Sequence, residues 1–368
     1  MILPNITQNY VNDDHQSNII MEMIDTLAKS HIISQGVCEY LLDHISMREL
    51  PYLMMKAREL TDQIYGKEIF FRGLIEITNV CSQGCYYCGL QSGNNLVNRY
   101  RMSETAILST VEEGYQLGFR SFVWQGGEDA GLTDEWLCSL IRKFRADYPD
   151  CVVTLSIGER SRASYQALYD SGLDRCLLRH ESASKSLYEK LHPQWMSFDH
   201  RMQCLQDLKD IGYWVGAGFL INPPFQKNAD LVEDLMFIQR FQPHMCGIGP
   251  FIPHPDTKFR DEEAGYGNQT AVMLALVRLI VPEVLLPATT ALATVDALGR
   301  SKGLNSGGNV VMPNLTAPDI RKLYEIYAQK KNWGDEAAEN VKRAIRDIEE
   351  LGYIPALTRG DHISYKEK

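Results

Sequence analysis

Cys81, Cys85 and Cys88 fall within eight residues of one another in the stretch "TNVCSQGCYYCGL", spaced C-x3-C-x2-C. Thiolates so close together can wrap a metal ion or an iron-sulfur cluster. A structural zinc site needs four closed ligands, usually as two close pairs, and no second close pair of cysteines occurs in the chain. A 4Fe-4S cube takes one ligand per iron, so three cysteines leave one iron open to a ligand from outside the protein. That is the arrangement of a reactive centre. The other cysteines, Cys38, Cys138, Cys151, Cys176, Cys204 and Cys246, are scattered singly through apolar or helical patterns and read as small buried hydrophobes of a reducing compartment.

Two further groups have the residue types for chemistry. "QGGED" supplies Gly126, Gly127 and Glu128. Glycines allow close backbone approach, and a carboxylate can meet an ammonium group. Alone, two glycines and an acid commonly mark a turn; behind the cysteine cluster a binding role is expected. "LLRHES" ends an apolar run in Arg179, His180 and Glu181. Charges pointing inward there must be paired or serve a ligand. For Arg179 an ion pair with the glutamate stands level with a functional role, whereas Glu181 is expected to contact a ligand.

The elements that must position these groups alternate. Short β-rich runs at 69–78, 119–125, 151–158, 174–181, 213–221, 245–252, 283–290 and 309–314 are separated by helical patterns. In "SETAILSTVEEGYQLG", Ile107, Leu108, Val111 and Tyr115 recur at helical spacing, and Ser103 and Gly118 suit the two caps. Eight such units predict an α/β fold, a (β/α)8 TIM barrel over residues 67–334, with a doubly wound open sheet as the alternative. Residues 1–66 read as an N-terminal helical extension packing on the barrel, and 335–368 as a closing C-terminal helix and tail. Barrel sites lie at the C-terminal ends of the strands, and the cysteines follow the first strand.

Composition bounds the rest. The 368 residues are 45% apolar and 23% charged, values of a globular chain with room for a full core. A net charge of −10 with no basic cluster argues against nucleic acid or an anionic membrane as a partner. No apolar run is long enough to span a membrane, and the N-terminus lacks the basic flank and apolar stretch of a secretion signal. A soluble, cytoplasmic protein is expected.

The spacing C-x3-C-x2-C with Tyr87 before the last cysteine, placed after strand one of a barrel, resembles the signature of the radical S-adenosylmethionine (radical SAM) superfamily. The resemblance implies a 4Fe-4S cluster whose open iron is chelated by the amino and carboxylate groups of S-adenosylmethionine. An electron from the cluster then cleaves the sulfonium to a 5′-deoxyadenosyl radical. More narrowly, "FFRGLIEITNVC", "YYCGL", "LLRHES", "GIGPFIPHPDT", "LPATTA" and "NVVMPN" are together similar to the FeFe-hydrogenase maturases of HydE type, from about residue 70 to 330.

That resemblance implies that Tyr87, Gly126, Gly127 and Glu128 belong to the cofactor site. Glu181 and Arg201 would hold S-adenosylmethionine, Arg201 through its carboxylate. Toward the substrate it implies Arg72, Thr154, Arg175, Arg179, Thr289 and Thr290 at the end of strand seven, Met312, and Tyr324 just beyond strand eight. Thr154 and Met312 have plain barrel packing as their other reading. Arg72 and Arg175 would be surface charges if the strand registers slip by one. The family's substrate is an iron complex carrying CO, cyanide and cysteine, supplied by a second radical SAM maturase. The radical would attack the cysteine sulfur, with a scaffold maturase and an electron donor as further partners.

This chain also departs from the family. No cysteine follows Cys246, so one cluster is expected where some relatives carry two. Pro223 and Pro224 stiffen a loop after strand five where a glycine-rich turn would be expected. A methylornithine-synthase-like mutase shares barrel, triad and length, but "LLRHES" and "LPATTA" fit the maturase better. A biotin-synthase-like sulfur inserter would want cysteines on strands two and five, which carry none. From a different class, a barrel binding protein or hydrolase with a structural zinc stays open.

Overall fold

The structure is a computed structural model that describes residues 14–328 and 337–365. The expected boundary between barrel and closing helix, at 334 and 335, lies outside the described residues, as does most of the stretch examined for a secretion signal. Three helices come first: α1 (Asp14–Ser30), α2 (Gln35–His44) and α3 (Leu50–Tyr65). Ser34 starts α2 by accepting from the Val37 N–H, and Gly66 at φ 62° ends α3.

The central part alternates: β1 (Glu68–Phe71), β2 (Gly73–Thr78), α4 (Glu104–Gln116), β3 (Ser121–Gly126), α5 (Asp134–Asp147), β4 (Val152–Ser156), α6 (Arg162–Asp170) and β5 (Arg175–Leu177). Next come α7 (Lys185–Leu191), α8 (Phe198–Ile211), β6 (Trp214–Ala217), β7 (Leu220–Ile221), α9 (Asn228–Phe241), β8 (Met245–Cys246), β9 (Gly249–Pro250) and α10 (Gly267–Ile280). The rest is α11 (Thr290–Val295), α12 (Gly299–Asn305), β10 (Val310–Val311), α13 (Pro318–Arg321), α14 (Ala337–Glu350) and β11 (Ile354–Ala356). Side chains of Ser103, Thr133, Ser161 and Ser197 each accept from an N–H of the first turn of the helix they open. These caps satisfy donors the helix itself leaves over.

All strand pairs are parallel. The order β2-β3-β4-β5-β6-β8 forms one sheet, β7 and β9 pair separately, and β1 lies between β10 and β11. Single bridges Met245↔Leu285 and Pro287↔Val310 carry the pairing from β8 through residues 285–287 to β10. Since β1 runs into β2, the ring closes as a (β/α) barrel.

The strands differ from the sequence pattern in physically simple ways. The expected seventh strand, 283–290, survives only as those two bridges, because Pro287 has no N–H to give a ladder. Thr289 therefore caps a helix, accepting from the Leu292 N–H, and Thr290 begins α11. The runs at 213–221 and 245–252 are each split in two. At the break a Cβ on Gly218, with φ 158°, would stand 2.1 Å from the Gly247 carbonyl oxygen, so two backbones touch where side chains would normally part them. Strand β11 has no counterpart in the expected set. It pairs with β1 at the N-terminal end of the barrel, where Ile354 N–H donates to the Lys67 carbonyl at 2.9 Å.

The N-terminal helices cover the barrel's outer helices. Arg58 donates to the carbonyls of Leu304 (3.2 Å) and Gly308 (2.9 Å), and Thr61 to that of Gly307 (3.1 Å). Helix α10 is consequently buried on all sides from Gln269 to Ile280, which explains its unbroken apolar run from Ala271 to Val277. The same cover buries Arg278, which donates to the Gly307 and Pro282 carbonyls. Among the described residues no helix is long and apolar enough to cross a membrane.

Candidate active site

Strand β2 delivers the chain to the barrel mouth and Thr78 turns it. The Thr78 hydroxyl donates to Asp129 (2.9 Å), which Arg101 grips with two nitrogens at 2.6 and 2.8 Å. The cysteine loop that follows has almost no regular structure, and Arg99 supplies its order. Its guanidinium donates to four loop carbonyls: Asn79 (2.7 Å), Leu90 (2.8 Å), Gln91 (2.9 Å) and Asn94 (3.0 Å).

The loop is held against the end of β3. Ser82 N–H donates to the Glu128 carbonyl at 2.9 Å, and Gln83 Nε2 to the Glu128 carboxylate at 2.5 Å. A Cβ on Gly127 would lie 2.3 Å from the Val80 oxygen and 2.6 Å from Cys81 Cβ. The paired glycines thus let the two loops nest. Gly158, at φ 80°, does the same from β4, since a Cβ there would stand 1.9 Å from Glu128 Cγ.

A cavity of about 350 Å³ opens at this end of the barrel, a volume suited to a small ligand. Cys81, Cys85, Tyr87 and Cys88 line one side with Gly126, Gly127 and Glu128, and Glu181 and Arg201 also reach it. Arg179, Thr289, Thr290, Met312 and Tyr324 line it as well. Residues the sequence reading passed over join them, notably Gln83, Gln125, Ser156, Gly158, Met245 and Tyr327. The motif "SIGER" at the end of β4 is the sequence signal that could have found Ser156, Gly158 and the neighbouring Glu159.

Arg72, Thr154 and Arg175 do not reach this cavity. They lie below it, around a small void they share with Trp214, His244 and Met245. Nor are the two arginines surface charges: both are almost fully buried. The C-terminal tail occupies the space beneath, where Asp361 pairs with Arg175 and the Gly360 carbonyl accepts from Arg72 at 3.4 Å. Met245 faces both spaces and takes an Arg72 N–H on its sulfur at 2.8 Å. Pro223 and Pro224 are not among the lining residues either.

The electrostatics of the cavity are those of a site prepared for a ligand. Burial pushes the Cys88 thiol up to about 12 and raises Cys81 and Cys85 as well, so a bound cation would favour their ionisation. Cys85 Sγ touches Met196 Sδ at 3.9 Å. Burial also raises Glu128, partly offset by Arg201. Arg201, on α8, donates to Glu159, to the Arg179 carbonyl at 2.9 Å and to Glu128 at 3.5 Å. Of its five N–H donors, two remain for a ligand.

Arg179 and Glu181 form an ion pair at 3.2 Å. Its geometry nevertheless leaves Arg179 Nε and Nη2 and Glu181 Oε2 without hydrogen bonds, orphaned polar atoms at a cavity wall. Tyr87 is fixed from behind. Burial lowers His192 to about 3, its Nδ1–H donates to the Tyr188 carbonyl (2.8 Å), and Nε2 is left to accept from the Tyr87 hydroxyl at 3.0 Å. Clustered thiols, a free carboxylate edge and spare guanidinium donors fit a thiolate-bound cluster together with an amino-acid-bearing cosubstrate.

Comparison with known proteins agrees with this geometry. The family model of the radical SAM superfamily matches residues 75–238. The chain is 38% identical to the [FeFe] hydrogenase maturase subunit HydE of Thermotoga maritima over 82% of this chain and 86% of that protein. It is 26% identical to 3-methylornithine synthase of Methanosarcina acetivorans over 86% of this chain and 88% of that one. In fold it is similar to a crystal structure of methylornithine synthase (TM-score 0.79, 22% identity, 91% of this chain and 97% of that one). A structure of HydG, a maturase of the [FeFe]-hydrogenase, follows closely (TM-score 0.78, 18% identity, 94% and 80%). The protein is an enzyme that depends on a 4Fe-4S cluster and S-adenosylmethionine: the chain belongs to the radical SAM superfamily, in the family of the hydrogenase maturase subunit HydE.

Proposed function

We propose that this enzyme acts in maturation of FeFe-hydrogenase, on a small iron complex bearing CO, cyanide and cysteine. Cys81, Cys85 and Cys88 would hold three irons of the cluster. When bound, cluster and S-adenosylmethionine supply the electron and the adenosyl radical.

The chain's own groups divide the remaining work. Glu128 offers a carboxylate to the ammonium of S-adenosylmethionine, and the two spare Arg201 donors offer a fork to its carboxylate. Glu181, whose Oε2 accepts no hydrogen bond beside its ion pair with Arg179, faces the same ligand. The observation that carries the reading is a shared cavity: Arg179, whose Nε and Nη2 make no hydrogen bond, faces the space that the thiols line. Thr289, Thr290 and Tyr324 add hydroxyls, a lining suited to a ligand whose carboxylate and cyanide accept hydrogen bonds. Met312 and Met245 give the cavity apolar walls, and the tail-plugged barrel floor keeps water from below.

The identity with Thermotoga maritima HydE over most of both chains favours hydrogenase maturation over the mutase reading. Supply of the complex by a second radical SAM maturase, transfer to a scaffold maturase and an electron donor belong to the same proposal.

Two measurements test it. Anaerobically reconstituted protein is expected to hold about four irons per chain, with Cys85→Ala losing reductive cleavage of S-adenosylmethionine while keeping its fold. Colourless protein with one tightly held zinc contradicts the cluster assignment. In a host lacking its own HydE-type protein, this chain is expected to restore active hydrogenase. Cleavage without restoration would shift the substrate toward a different small molecule.

A further inference from the structure

Glu181 occupies an unusual backbone position. Its φ is 64°, one of five positive values among described non-glycine residues. The Ser182 N–H donates to the His180 carbonyl at 2.8 Å, closing a three-residue turn with Glu181 at its centre. A γ-turn with positive φ at its middle residue is the rarer, strained form. Strain of this kind persists only where surrounding contacts over-determine it.

One carboxylate supplies the side-chain contacts. Asp234 Oδ1, on α9, accepts from the Ala183 N–H at 2.6 Å and pairs with His180 Nε2 at 3.1 Å. It therefore holds the chain on both sides of the turn. The ring's other nitrogen, Nδ1, faces the Gly218 N–H at 3.3 Å and can only accept there, so Nε2 carries the proton and donates to Asp234. Phe237, one helical turn beyond Asp234, lies with its ring 4.7 Å from that of His180. Glu181 itself is tied on both sides to the β6–β7 junction, through Gly218 O and Leu220 N, each at 3.0 Å.

Neither His180 nor Asp234 lines the cavity, and both are completely buried. Asp234 Oδ2 has no hydrogen-bond partner among the described residues. A buried carboxylate with one bare oxygen is a costly way to fill space, which points to a task beyond packing.

We propose that Asp234 and His180 are positioning residues that clamp the strained turn so that the Glu181 carboxylate is presented to S-adenosylmethionine, an inference that rests on the assignment of Glu181 to that ligand. The Asp234 carboxylate replaces the contacts a relaxed backbone would make, and the cavity receives a carboxylate already oriented before the ligand arrives.

The test is a double-mutant cycle read by equilibrium binding of S-adenosylmethionine to anaerobically reconstituted protein, with iron content and thermal midpoint measured beside it. Asp234→Ala is expected to weaken binding about tenfold with iron content unchanged. Asp234→Asn, which keeps Oδ1 as acceptor, restores it. His180→Leu is an independent second disruption, expected to act in the same direction. In a Glu181→Ala background, Asp234→Ala should cost nothing more. Additive losses in the double variant, or undiminished binding by soluble Asp234→Ala and His180→Leu proteins, overturn the clamp. Undiminished binding by Glu181→Ala alone instead removes the assignment of Glu181, and the clamp with it.

Discussion

Gly158→Ala isolates the packing of the cofactor side of the cavity. The new methyl group would sit 1.9 Å from Glu128 Cγ and 2.4 Å from its Cδ. Carbon atoms in contact normally stand about 3.5–4.0 Å apart, so the Glu128 side chain must leave its place. Its bond from Gln83 (2.5 Å) and its approach to Arg201 (3.5 Å) go with it. The φ of 80° adds a backbone cost of about 1–2 kcal/mol for alanine. A lost charge-assisted contact with the ligand adds about 1.5–3 kcal/mol, roughly tenfold to a hundredfold in affinity. Calorimetric titration of reconstituted protein with S-adenosylmethionine should show that loss, with a melting midpoint lower by only a few degrees. In a Glu128→Ala background the colliding atoms are gone, so Gly158→Ala should leave affinity as it stands in Glu128→Ala. Wild-type affinity in the Gly158→Ala protein would refute the placement of Glu128 at the ligand. An equal further loss in the double variant would refute the steric argument.

Other outcomes follow from particular contacts. Arg99→Met removes four donors from the cysteine loop, so reconstituted iron should fall well below wild type while circular dichroism stays native; full iron loading contradicts the stapling role. Asp361→Ala strips the partner from buried Arg175 and should cost about 3 kcal/mol in a denaturant titration, whereas a loss within error would mean that the tail does not seal the barrel. Acid should loosen the same end. Burial lowers His362 and His244 to about 4, the nearby cations acting in the same direction. The unfolded chain then binds more protons than the folded one below the ordinary histidine value, so stability is complete above about pH 6.5 and falls by about 1 kcal/mol per pH unit per histidine toward pH 4. The doubly substituted His244→Phe, His362→Phe protein should show a shallower decline of its melting midpoint between pH 7 and 5; equal slopes would remove these two from the account.

Local chemistry was legible in the sequence wherever neighbours in the chain are also neighbours in space. The cysteine spacing, the glycine pair and the strand-ending "LLRHES" are short motifs whose residues stay together on one loop or strand end, so their types and spacing pointed to the thiols and to one wall of the cavity. The alternation of apolar runs likewise indicated a parallel α/β fold, because each strand must bury both faces and each helix one, while closure into a barrel rather than an open sheet rests on the bridges from β8 to β10.

What required the tertiary structure was depth and long-range pairing. Thr154 and Arg175 sit on barrel strands as the pattern implied and Arg72 at the junction of β1 and β2, but only the packed chain puts them a layer below the cavity, with a tail residue 186 positions away closing on Arg175. Strand β11 is a short segment whose pairing with β1 no local period announces. Arg99, Glu159 and Asp234 are ordinary charges in sequence; their partners lie across loops and helices, and partner choice depends on which surfaces fold together. A linear pattern determines which face of an element is apolar, and only packing decides which other element meets it and how deep each charge ends.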